Sequence, residues 1–214
     1  GFTAKIEERV LSRYLFQQYI NAPESICQNV YKVEPGAVLR FHQGGISTWK
    51  YWDIKEAYHR AQTERIEDYK EAKEQLKTLL KQSVKMRMIA DVPLGSFLSG
   101  GYDSSLVTAI AQECSESPVK TFSIGFHEEK YNEAKYARAV AEHLGTDHTE
   151  LYIDEQDMFK LVESIPKYYD EPFADSSQIA TMMVSQLARE HVTVALYGDG
   201  GDEFFCGYNI YDNV

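Results

Sequence analysis

Val92-Pro93-Leu94-Gly95-Ser96-Phe97-Leu98-Ser99-Gly100-Gly101-Tyr102-Asp103-Ser104-Ser105 is the stretch that decides the fold. Residues 92–98 read as a buried strand. The strand ends in Ser99-Gly100-Gly101, and Leu106, Val107 and Ile110 then belong to a helix over residues 103–114 whose N-cap falls on Asp103 or Ser104. Two adjacent glycines let the backbone approach an anion closely. The serine hydroxyls, the free N–H groups of the first helical turn and the positive end of the helix dipole all supply stabilisation to such an anion. The segment is a candidate phosphate cradle. It is neither the GxxxxGK[ST] P-loop nor the GxGxxG dinucleotide fingerprint. Asp103 beside a phosphate makes sense if a cation such as Mg²⁺ lies between them. The plainer alternative is a capped helix after a glycine-rich turn, which does not need this density of donors.

Working outward, strands at residues 119–126, 149–153 and 192–196 alternate with helices at 133–144, 156–165 and 179–190. Strands separated by helices of this length predict right-handed crossovers and a parallel sheet. Upstream, Tyr69, Ala72, Leu76, Leu79, Leu80 and Val84 form the apolar stripe of an amphipathic helix over residues 68–88. Residues 53–67 are polar and read as a link. Alternation within residues 30–52 predicts two strands around the Gly44-Gly45 turn. Residues 3–20 predict a helix that Asn21-Ala22-Pro23 stops. The expected fold is α/β, a parallel sheet flanked by helices, preceded by a small partial α+β segment.

Two further segments sit at predicted strand ends, where parallel sheets bind ligands. Tyr197-Gly198-Asp199-Gly200-Gly201-Asp202-Glu203 follows the apolar run 192–196 and crowds three carboxylates into five residues. They repel one another unless a metal or cationic group joins them; a solvated Asp-Gly turn is the plainer reading. Thr121-Phe122-Ser123-Ile124-Gly125-Phe126 ends in glycine and can offer backbone groups to a planar base, although an ordinary core strand has the same pattern.

Composition sets the limits. The 214 residues carry 22 Lys+Arg against 33 Asp+Glu, a formal charge of −11, which disfavours a polynucleotide partner. With 43% hydrophobic residues the chain can bury a core, and no apolar run is long enough to span a bilayer. Cys27, Cys114 and Cys206 form neither a disulfide framework nor a zinc site, which points to a reducing compartment. His127, His143 and His148 fit no metal spacing and read as surface or supporting residues; Tyr168, Tyr169 and Phe173 read as core or interface.

Ser99-Gly100-Gly101-Tyr102-Asp103-Ser104 resembles the SGGxDS loop of the ATP pyrophosphatases. Together, VPLGSFLSGGYDSS, TFSIGF, AEHLGTDHTEL, DEPFADSS and YGDGGDEFFCGY resemble, in order, the synthetase half of glutamine-hydrolysing asparagine synthetases. Tyr31-Lys32-Val33-Glu34-Pro35-Gly36 and Tyr51-Trp52-Asp53 resemble the tail of that family's glutaminase domain. The resemblance implies that residues 1–57 are the carboxyl-terminal remnant of an Ntn-type glutaminase domain. Residues 58–214 would be the amino-terminal part of an ATP-pyrophosphatase synthetase domain of adenine nucleotide alpha hydrolase-like fold.

It further implies that Ser99, Gly100, Gly101, Asp103, Ser104 and Ser105 hold the β- and γ-phosphates of ATP, with Asp103 and Asp202 sharing Mg²⁺. Phe97 and Ile124 would contact adenine through backbone, and Tyr197-Gly198 would lie near the sugar or α-phosphate. Asp199 would assist ammonia in reacting with an acyl-adenylate. Tyr197 stands where the family usually has serine, and Asp199 is one methylene shorter than its glutamate. The implied activity is a cytoplasmic ligase of asparagine biosynthesis: aspartate is amidated with ammonia from glutamine, and AMP and pyrophosphate are released. The implied partners are small molecules, without nucleic acid or membrane and with a homodimer left open. Another acceptor such as a sugar acid, a nucleotide-binding module without turnover, and another SGGxDS enzyme are the alternatives. The family's glutaminase nucleophile is a mature amino-terminal cysteine and its synthetase uses a more carboxyl-terminal lysine. The chain alone, opening at Gly1, is therefore expected to be inactive.

Overall fold

The computed structural model describes residues 3–128, 132–209 and 211. They fall into two compact units, one within Gly1–Tyr69 and Glu163–Ser176, the other within Lys70–Val162 and Ser177–Val214.

The first unit holds α1 (Glu8–Gln17), the hairpin of β1 (Ala37–His42) and β2 (Gly45–Lys50), α2 (Ile54–Thr63) and, further along the chain, α7 (Ile165–Tyr168). The hairpin is antiparallel with His42 opposite Gly45, so its two-residue turn is Gln43-Gly44, one position before the expected glycine pair. Helix α2 occupies much of the segment expected to be a link. Asp53 caps it, the carboxylate accepting the Lys55 N–H at 2.9 Å. No α2 residue is buried, although Ile54, Ala57, Tyr58 and Ala61 recur at helical spacing, a signal that the reading of this segment as a polar link passed over. The Lys32 ammonium joins Glu171 and donates to the Ile20 carbonyl at 2.6 Å, anchoring the Glu163–Ser176 segment within this unit.

The second unit begins with α3, whose apolar stripe predicts it over residues 68–88 and which runs Tyr69–Arg87. Its sheet contains β3 (Leu94–Phe97), β4 (Lys120–Phe126), β5 (Asp147–Ile153) and β6 (Val194–Leu196), in the order β5-β4-β3-β6 and parallel throughout. The connections carry α4 (Tyr102–Glu113), α5 (Ala134–Leu144), α6 (Glu155–Val162) and α8 (Gln178–Arg189), and α9 (Gly201–Phe205) follows β6. The parallel α/β sheet flanked by helices is therefore observed. Strand β3 starts two residues later than expected, directly after Pro93, which has no N–H to give to a ladder; the Pro93 carbonyl accepts the Thr193 N–H at 2.9 Å. The expected helix over 156–165 is broken, α6 ending at Val162 and α7 starting at Ile165 with proline in its first turn.

Helices cover both faces. Phe122 packs with Ala188 and Val192 on the α8 side, whereas Gly125, of opposite parity on β4, approaches Ala134 of α5. Val84, Ile110, Ala111, Val119 and Leu196 form a further core cluster, and Leu98 packs on Ala137 and Ala141. Ser96, fully buried, shares a 2.9 Å hydrogen bond with Thr108 and so ties β3 to α4. No helix among the described residues is long and apolar enough to cross a membrane.

Candidate active site

The chain runs outward from β3 through β4 to β5 and then returns to the other side of β3 as β6. The strand order reverses between β3 and β6, and at such a switch point the loops leaving the carboxyl ends diverge and open a crevice. The two segments that leave there are the Ser99 loop and the Tyr197–Glu203 loop.

In the Ser99 loop the helix starts one residue earlier than the expected cap. Gly101 is the N-cap of α4 without a side-chain bond, and Asp103 and Ser104 lie in the first turn. Ser104 has another use. Its Oγ lies 2.9 Å from Ser99 Oγ, accepts the Ser99 N–H at 3.3 Å and donates to the Gly101 carbonyl at 3.3 Å, while the Gly101 N–H donates to Ser99 Oγ at 3.3 Å. The cradle is thus held by its own hydroxyls. Gly100 adopts φ +85°, and a Cβ there would lie 2.6 Å from the Ala137 nitrogen, so the loop is pressed against α5 in a conformation that excludes side chains. Ser105 Oγ is buried without a hydrogen-bonding partner, which separates it from the exposed Ser99.

The second loop closes on the first. A Cβ at Gly198 would lie 2.9 Å from the Ser104 nitrogen, and one at Gly201 would lie 2.3 Å from the Asp103 carboxylate. Glycine at both positions allows Asp103 and Asp202 to approach. Burial, and then the charges of Asp202 and Glu203, push the Asp103 carboxyl above the usual range, and a hydrogen bond from the Asp202 backbone partly offsets this. Glu203 is held by the Tyr208 hydroxyl, which donates to it at 2.7 Å, lowering the Glu203 pKa and pushing that of Tyr208 up to about 12. Asp199 is exposed on the same loop.

The described residues contain no group of three or more His, Cys, Asp or Glu that could hold a metal. Two mutually repelling carboxylates match Mg²⁺ all the same, since Mg²⁺ is ordinarily bound by one or two carboxylates together with substrate phosphates. Asp103 and Asp202 fit that arrangement.

Beside the loops lies a cavity of about 210 Å³. The expected residues Phe97, Ser99, Ser104, Ile124 and Tyr197 line it, and the rings of Phe97 and Tyr197 meet edge to face at 5.6 Å. Gly100, Gly101, Asp103, Ser105, Gly198, Asp199 and Asp202 are not among its lining residues and belong to the loops at its mouth. The sequence reading missed Glu133 and the α8 side, namely Ser177, Ala180, Thr181 and Val184. The helix itself is expected from residues 179–190; its place at the cavity is hinted at by Ser177, which closes the DEPFADSS motif.

The asparagine synthase family model matches residues 75–214, and the chain belongs to that family. It is 40% identical to a Methanocaldococcus jannaschii protein named as glutamine-hydrolysing asparagine synthetase 2, over 97% of this chain and 40% of that protein. It is 36% identical to glutamine-hydrolysing asparagine synthetase 1 of Bacillus subtilis, over 97% of this chain and 32% of that protein. The chain thus spans 32% to 40% of the length of these relatives. Among solved structures, the ammonia-dependent NAD synthetase of Campylobacter jejuni matches 64% of this chain and 60% of its own, with a TM-score of 0.43 and 12% identity.

Proposed function

We propose that the protein carrying this chain is a ligase that amidates aspartate to asparagine through an acyl-adenylate, using ATP and ammonia derived from glutamine. One observation carries the reading: at the reversal between β3 and β6, a hydroxyl-bearing glycine loop and an acidic glycine loop close on one another beside a cavity. A cavity of about 210 Å³ is below the roughly 300–1,000 Å³ of pockets that enclose whole drug-sized ligands. It suits the nucleoside portion, with the phosphates lying outside against Ser99, Gly100 and Gly101.

Phe97, Ile124, Tyr197 and Gly198 would hold base and sugar, and Ser104 would keep the cradle in shape. Asp103 and Asp202 would hold Mg²⁺, which supplies charge neutralisation for the departing pyrophosphate. A carboxylate is a poor acyl donor. Its oxygen therefore attacks the α-phosphorus, the bond from that phosphorus to the β-phosphate oxygen breaks, and pyrophosphate leaves. Ammonia then attacks the acyl carbon, AMP departs, and the surplus proton on nitrogen is lost. Asp199, on the exposed rim, is the residue for that proton, directly or through water. Alignment of these groups at one sheet edge turns a multi-body reaction into steps between pre-positioned partners.

The test is AMP and pyrophosphate formation by the full-length protein with ATP-Mg²⁺, ammonium and a panel of acids. Aspartate-dependent AMP and asparagine are expected. AMP formed only with another acid replaces aspartate as the acceptor, and ATP binding without AMP release with any acid overturns turnover at this site.

A further inference from the structure

The five residues of α9 are followed by a turn that folds back on them. Cys206 caps the helix in a left-handed conformation, φ 57° and ψ 43°, and the Asp202 carbonyl accepts the N–H groups of both Cys206 and Gly207, the latter at 3.0 Å. Tyr208 then reaches back five residues, its hydroxyl donating to the Glu203 carboxylate at 2.7 Å. None of the roles assigned to the site uses this turn.

Gly207 is where the turn presses closest. Its backbone lies outside the left-handed region, so the position does not need glycine for its dihedral angles. It needs glycine for room: a Cβ there would lie 1.8 Å from Asp202 Oδ1 and 2.8 Å from Asp202 Cγ. The carboxylate that the proposed function gives to Mg²⁺ therefore rests in the space of a missing side chain. A carboxylate loses rotamer freedom when a cation holds it, and a backbone wall that already limits its rotamers reduces that loss. The Tyr208 hydroxyl meanwhile ties the turn to the neighbouring residue of α9, so the wall stays against Asp202. We propose that Gly207 is a positioning residue for Asp202, its bare backbone forming the seat that holds this carboxylate at the cation beside the ATP phosphates, with the Tyr208–Glu203 hydrogen bond keeping the seat closed. The inference rests on the assignment of Asp202 to Mg²⁺ and adds to it residues that act through Asp202.

Calorimetric titration of the full-length protein with ATP, once in EDTA and once in saturating Mg²⁺, tests it. The readout is the factor by which Mg²⁺ tightens ATP binding. Gly207→Ala should reduce that factor about tenfold, the lower end of the range for residues that orient a metal ligand, and leave the Kd in EDTA unchanged. Its thermal midpoint without ligand should stay near that of wild type, because the atom most obstructed is the free end of a side chain. Tyr208→Phe should reduce the factor about threefold, the order of one hydrogen bond. Glu203→Gln, which keeps an acceptor oxygen for the Tyr208 hydroxyl, should reduce it less than the equally uncharged Glu203→Ala. In an Asp202→Ala background there is no carboxylate to seat, and Gly207→Ala should change nothing further. Equal weakening of ATP binding in EDTA and in Mg²⁺, an unchanged factor in Gly207→Ala, or a further loss in the Asp202→Ala background overturns the inference. Provided that Asp202→Ala alone reduces the factor, those outcomes leave the assignment of Asp202 standing; if it does not, assignment and inference fall together. If Gly207→Ala fails to fold, Tyr208→Phe decides: a loss confined to Mg²⁺ is expected, and an unchanged factor overturns it.

Discussion

Glu150 and Asp103 are carboxylates of the same unit that their surroundings push in opposite directions. Glu150 has Arg138 across two hydrogen bonds and is held below the ordinary carboxylate range. Asp103 is partly buried, faces Asp202 and Glu203, and is held above it. The first cluster is electrostatically complete within the protein. The second is arranged at a cost that ordinary folding does not explain, and a bound cation with phosphates would offset it.

That contrast can be broken most severely by removing the geometry under it. Gly100→Ala adds a left-handed strain and a methyl 2.6 Å from backbone of α5. It should cost about 2–4 kcal/mol of stability in urea unfolding and abolish ATP binding. Stability within 0.5 kcal/mol of wild type, on the order of an ordinary surface change, would show that the loop is not pinned. Next, Asp202→Asn should reduce pyrophosphate release about a hundredfold in the full-length protein, the order seen when one charge-stabilising group is removed. Asp199→Asn should instead retain pyrophosphate exchange and lose amide product. Near-normal amide synthesis in both would leave the acidic loop a solvated turn.

The two remaining tests set the carboxylates against each other. Because the folded pKa of Glu150 is lowered, its contribution to stability is present above the unfolded carboxylate pKa and lost as pH falls through the folded one. Glu150→Gln should therefore lower the thermal midpoint at pH 7 by about 2–3 °C, and the difference should shrink only as the pH is taken below the ordinary carboxylate range. Asp103 has the opposite sign: its folded pKa is raised, so its charge is a penalty at neutral pH that is relieved as pH falls. Asp103→Asn should raise the midpoint of the ligand-free protein by about 1–2 °C at pH 7, while weakening ATP-Mg²⁺ binding. A lowered midpoint would mean that Asp103 is compensated within the protein.

Much of this was legible in the residues. Ser99-Gly100-Gly101 marks its turn through glycine and hydroxyl chemistry, and the strands on either side of it are apolar enough to be read as buried. Legibility fails where the stabilising partner is distant in sequence. Helix α2 buries nothing, so Ile54, Ala57, Tyr58 and Ala61, although at helical spacing, are easily taken for part of a polar link. The N-cap at Gly101 could not be read because Ser104, a good cap by type, is engaged in holding Ser99. Tertiary folding alone brings α8 to the cavity and His148 to Ser123, and neither spacing carries a trace of it.

The path of the chain has one further consequence. It leaves the second unit at Val162, spends Glu163–Ser176 in the first, and returns at Ser177, one residue before α8. Neither unit is therefore a contiguous stretch of gene. Recombination with a relative at a single junction near Tyr69 would transplant the sheet, but with it a foreign piece of the neighbouring unit. Lys32 would then have to find its carboxylate in whatever residue arrived at the place of Glu171. Inheritance of the two units as a pair is the simplest way for such a chain to diverge without losing that match.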